Sequence, residues 1–119
     1  MAVQTKMADN TFFGSADWPN IPMQNTDNTN MTGWTLAFYV YSPGTKTAII
    51  TATIANGGIV VVGAGTAITT GLFYVKVTKT MSSALTATLP NPTSYPWSLW
   101  RTDSGYENEM GYGTIPVRF

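Results

Sequence analysis

Residues 34–42 read WTLAFYVYS, and this alternation constrains the fold more than any other feature of the chain. Trp34, Leu36, Phe38 and Val40 fall on one side of an extended backbone, and Thr35, Ala37, Tyr39 and Tyr41 on the other, because successive side chains of a strand point to opposite faces. The first set is the more apolar and is expected to face a core. LFYVKVTK (72–79) repeats the pattern with Phe73, Val75 and Val77 inward. TAIITATI (47–54) and IVVV (59–62) read as two more strands, and the Asn56-Gly57 pair between them predicts a tight hairpin turn. The glycine-broken GAGTAITTG (63–71) reads as a bulge or corner.

The flanking segments follow local chemistry. DWPNIPMQN (17–25) carries two prolines, each lacking a ladder donor, so it is expected at a sheet edge. TDNTNMTG (26–33) is dense in turn formers and reads as a loop. Thr80 is the candidate cap of one short helical turn near 81–86. Leu85 and Leu89 are expected to plug one end of the core, and Pro90 and Pro92 force an extended approach to the next strand. YPWSLWR (95–101) then alternates Tyr95, Trp97, Leu99 and Arg101 against Pro96, Ser98, Trp100 and Thr102. TDSGYEN supplies a turn and EMGYGTIPVRF (109–119) the return strand.

About seven strands with turn signals every 8–12 residues or so predict a β-sandwich. The expected fold is an immunoglobulin-like two-sheet antiparallel β-sandwich, with a small β-barrel or jelly roll as the alternative. Residues 1–16 are expected to form an N-terminal arm that docks on a neighbour, and 17–119 the sandwich domain.

Composition removes most chemistry. The chain of 119 residues has no cysteine and no histidine, so thiol chemistry, the usual catalytic base and the usual zinc ligand are absent. Six basic and six acidic residues give zero net charge, without the basic excess of a nucleic-acid binder. Asp103, Glu107 and Glu109 follow neither a glycosidase pair nor an EF-hand spacing and read as a solvated turn. Gly63-Ala64-Gly65 lacks the third glycine and the helix of a dinucleotide fingerprint. No catalytic residue, cofactor or metal is expected, and the chain is read as not an enzyme. No apolar run is long enough for a membrane span. With charged residues at only 10%, against roughly 25% in an average protein, the surface favours association.

The order of DWP, a loop closing in MTGW, the alternating strand, SSALTATLP and YPWSLWRTDSGYENEMGYGTIPV resembles small immunoglobulin-like domains of tailed-phage virion proteins, in outline the N-terminal domain of siphophage upper baseplate proteins. In that group a Leu-Thr-Gly precedes a core strand, and a Y-x-W-x-L-W-R-x-D strand leads through a glycine-containing turn into a final strand ending near Tyr-Gly-Thr. The similarity runs from Asp17 to Val117. It implies a bacteriophage virion structural protein, of the tail or baseplate or a head–tail accessory kind, made in the host cytoplasm and carried in the virion. Upper baseplate proteins continue into a C-terminal region that holds fibres, so a stand-alone accessory subunit is also expected. The alternatives are a capsid decoration protein and a carbohydrate-binding receptor-recognition module. The expected partners are other virion proteins and further copies of the chain, with neither nucleic acid nor membrane. The candidate interface residues are Trp18, Tyr39, Tyr41, Trp100, Arg101 and Tyr112, because Trp, Tyr and Arg are enriched where interfaces are tightest.

Overall fold

The computed structural model describes residues 3–5, 12–25, 31–45, 47–61, 71–85 and 93–119. They form two sheets. One has four strands in the order β1-β3-β7-β6, from β1 (Val3–Thr5), β3 (Ile21–Asn25), β7 (Leu72–Val75) and β6 (Ile59–Val61). The other has five strands in the order β2-β9-β8-β4-β5, from β2 (Phe12–Phe13), β9 (Asn108–Arg118), β8 (Thr93–Arg101), β4 (Leu36–Tyr41) and β5 (Ala48–Thr53). One helical turn, α1 (Lys79–Ser82), precedes β8. The protein is therefore mostly β, with its two sheets in a sandwich-like arrangement around a shared core.

The alternation places that core where expected. Leu36, Phe38, Val40, Tyr95, Trp97, Leu99, Ile115 and Val117 from the five-stranded sheet are buried against Ile21, Met23, Ile59, Phe73 and Val75 from the other. Each such side chain contributes roughly 1.5–3 kcal/mol by leaving water. Phe38 and Trp97 stack with centroids 5.4 Å apart. Gly113 lies opposite Trp97 in the β8–β9 register, and a Cβ there would stand 2.9 Å from the indole Nε1. Only a residue without a side chain lets β9 pass so close to the ring. Leu85 is buried in the cluster, as expected of a plug.

Four local expectations change. Asn56-Gly57 does form a turn, with Gly57 N–H donating to Ile54 O at 3.2 Å, but β5 and β6 lie in different sheets, so the turn is an arch between layers and not a hairpin. The cause is outside the turn. Gly58 approaches Ala52 so closely that a Cβ would meet the Ala52 Cβ at 2.5 Å, which folds the chain over its own strand. The Asn56 side chain then takes the place of a strand neighbour at the β5 edge. Its Oδ1 accepts from Thr53 N–H at 2.8 Å, and its Nδ2 donates to Thr51 O at 2.9 Å. Such covering blunts a sheet edge against stray pairing.

Second, β3 is an interior strand despite Pro22. It pairs with β7 from Ile21 to Gln24 and with β1 from Met23 to Asn25, so Pro22 falls outside the described β1 register. Third, the helical turn spans 79–82, and its cap is Thr78, not Thr80. The Thr78 hydroxyl accepts from Met81 N–H, and Asp17 Oδ1 accepts from Lys79 N–H at 2.6 Å, so a distant carboxylate fixes the start of the turn. Fourth, one pairing is parallel. β2 lies beside the end of β9, Phe12 opposite Val117.

Within 1–16, β1 and β2 thus belong to the two sheets, and Phe12 is fully buried. Residues 1–2, 6–11, 26–30, 46, 62–70 and 86–92 lie outside the described residues, and with them most of the glycine-broken segment, Leu89, Pro90 and Pro92.

Candidate functional site

The outer face of the five-stranded sheet gathers most of the candidate residues. Along β8, Ser98 and Trp100 point away from the core, and the register sets Tyr39 and Tyr112 on either side of Ser98. Ser98 is nonetheless only 3% exposed. Its Oγ lies 2.6 Å from Tyr41 Oη and accepts from Trp100 Nε1–H at 3.0 Å. Both aromatic side chains are therefore drawn down over Ser98 and held there by their polar ends. Fixing the rings in the free protein lowers the entropy lost when something packs on them. Tyr39 and Tyr41 are half-buried, with ring centroids 6.0 Å apart, and Tyr112 is 78% exposed.

A bulge brings a carboxylate to the same face. The β8–β9 register shifts between Leu99 and Trp100, so that Leu99 faces Gly111 while Trp100 faces Glu109. Met110 is the extra residue and is buried in the core. Unbroken alternation from Tyr112 would have sent Met110 outward and Glu109 inward; the bulge re-aims both. Glu109 thereby joins Tyr41, Trp100 and Tyr112 around an open hollow of about 720 Å³, whose lining also includes Pro96, Trp97, Gly113 and the Gly44-Thr45 turn. A second hollow of about 680 Å³ lies at one end of the sandwich, beside Trp34 and Thr53.

Arg101 is committed within its own hairpin. Its Nε and Nη2 donate to the Asp103 carboxylate at 2.8–3.0 Å, and its Cζ lies 3.9 Å from the Trp34 ring centroid and 4.4 Å from that of Tyr106. Asp103 also accepts from Thr35 N–H at 3.2 Å, tying the turn to β4. The Asp103 carboxyl is held below the usual carboxylate range, first by the hydrogen bonds from Arg101, then, after an opposing desolvation, by the Thr35 N–H. Arg101 is raised in turn, by Asp103 foremost. Of the three acidic residues in its hairpin, Asp103, Glu107 and Glu109, Arg101 pairs with Asp103.

Trp18 leaves the candidate surface. It is 4% exposed, its ring meets Phe12 edge-on at 5.1 Å, and its Nε1–H donates to Phe13 O at 2.8 Å. Burial with a satisfied N–H is the ordinary state of a core tryptophan. Glu109, which the sequence placed in a solvated loop, joins the face instead. One sequence signal pointed there: Met110 is apolar yet shares its parity with Tyr112, Thr114 and Pro116, out of step with Ile115 and Val117.

Among the described residues no three His, Cys, Asp or Glu side chains gather to hold a metal ion, and no helix is long and apolar enough to cross a membrane. The arrangement offers aromatic faces, one carboxylate and a few hydroxyls, which suits adhesion. Compared with protein-family models, with curated proteins and with solved structures, the chain matches none.

Proposed function

We propose that the chain is a bacteriophage virion structural subunit, of the tail or baseplate or a head–tail accessory kind, folded as an immunoglobulin-like sandwich and acting through protein–protein contacts without catalysis. The observation that carries this reading is the outer face of the five-stranded sheet, where Tyr41 and Trp100 are both fixed on Ser98 Oγ beside the exposed Tyr112. Rigid, amphipathic aromatics of this kind supply contact area at low entropic cost. The virion setting is supported by the run from DWP to YGTIPV, whose order and spacing resemble those of phage virion domains.

The test is to purify particles released from an infected host and to quantify the chain by mass spectrometry. The reading expects it in intact particles at a fixed ratio to the major virion proteins. Its absence from particles, or a ratio that varies with purification, would overturn the reading.

A further inference from the structure

The contact reading above can be taken to the chemistry of the partner, because the molecule carries two sites of similar composition. In the first, a tryptophan, a tyrosine and a carboxylate hold a guanidinium: Arg101 lies between Trp34 and Tyr106 and is paired with Asp103. In the second, the hollow on the outer face, Trp100, Tyr41 and Tyr112 stand with Glu109. Among the described residues, none that lines the hollow is basic and Glu109 makes no ion pair. We propose that this hollow receives an arginine side chain of a partner polypeptide, its guanidinium against the aromatic faces and paired with Glu109.

Three observations support the assignment. Trp100 and Glu109 are direct cross-strand partners, whereas Tyr112 stands opposite Ser98 two positions along β8. Diagonal positions of that kind sit roughly 7–8 Å apart, close enough for both to touch one inserted side chain. Trp100 Nε1–H and Tyr41 Oη are already bound to Ser98, so these rings offer mainly their faces and edges. A ring face carries the negative part of its quadrupole and attracts cations. Glu109 supplies the charge that neutral ring faces lack, and arginine can meet rings and carboxylate at once through its flat, forked head. A neutral sugar would also stack on the rings but would gain nothing from the charge of Glu109.

The test is an NMR titration of the ¹⁵N-labelled full chain. The probes are the tripeptide acetyl-Gly-Arg-Gly-amide, the same peptide with uncharged citrulline in place of arginine, and cellotetraose as a neutral glucan. The proposal expects a saturable shift of the Trp100 indole N–H and of the Tyr112 and Gly113 amides with the arginine peptide alone. Glu109→Gln and Tyr112→Ala should each weaken that binding by about threefold to fivefold. Both positions are exposed, and an unchanged spectrum elsewhere shows that the fold is kept. Equal binding of the citrulline peptide would overturn the proposal. So would unchanged affinity in Glu109→Gln, saturation by cellotetraose at the same resonances, or no shift there at all. The broader contact reading is judged separately: a chain present in particles but indifferent to the arginine peptide loses only this inference.

Discussion

Trp97 and Trp100 stand three residues apart on β8, and the sheet sends them to opposite sides. Trp97 goes inward, stacks on Phe38 and fills the space that the missing side chain of Gly113 leaves. Trp100 goes outward and lies over Ser98, half-exposed at the rim of the hollow. On the inner side the ring belongs to the core cluster and is almost wholly withdrawn from water. On the outer side the ring is held by a hydrogen bond to the Ser98 hydroxyl that it shares with Tyr41, and it stays half-exposed. The same residue type thus holds the fold on one face and stays open to contact on the other, and the difference comes from parity along the strand.

This contrast can be broken by measurement. Trp97→Ala should cost about 3–5 kcal/mol in denaturant unfolding, as other buried aromatic truncations do, while Trp100→Ala should cost far less; equal losses would erase the distinction. Gly113→Ala should come next, at roughly 1–3 kcal/mol, because its Cβ would press on an indole that Phe38 keeps from moving. Ser98→Ala should cost about 1 kcal/mol and free the Trp100 indole, seen as faster exchange of its N–H proton.

A smaller effect is expected at the end of the hairpin. Asp103 titrates lower in the folded chain than in the unfolded one, so its contribution is complete above its unfolded value near pH 4 and is lost as pH falls through the folded value. Asp103→Asn should therefore be less stable than the parent at neutral pH, with the gap closing in acid; a gap that widens in acid would contradict the Arg101 pairing. Tyr112→Ser should change stability least, within about 0.5 kcal/mol, since its ring is mostly in water.

The parts of the fold that local pattern controls were legible beforehand. The alternation of β4, β7 and β8 and the turn at Asp103 follow from residues close in sequence, whereas Arg101, expected at an interface, is taken by Asp103 two residues on. What was not legible depends on distant chain. Asn56-Gly57 has the chemistry of a hairpin, yet whether the next strand joins the same sheet is decided by Gly58 packing over Ala52 and by the pairing of β6 with β7. Trp18 resembled a surface anchor because Phe12, its core partner, lies in a stretch with no apolar period. Glu109 was hidden by the bulge at Met110, which alternation alone does not count.

The account rests most on the outer face of the five-stranded sheet being the surface by which the protein attaches. Hydroxyl-radical footprinting of the free chain and of the chain in purified particles tests this directly. The account predicts that Tyr112, Trp100 and Tyr41 lose reactivity on assembly while the buried Trp97 stays unreactive in both states. Unchanged oxidation of Tyr112 and Trp100 in the particle, with protection elsewhere on the molecule, would contradict it.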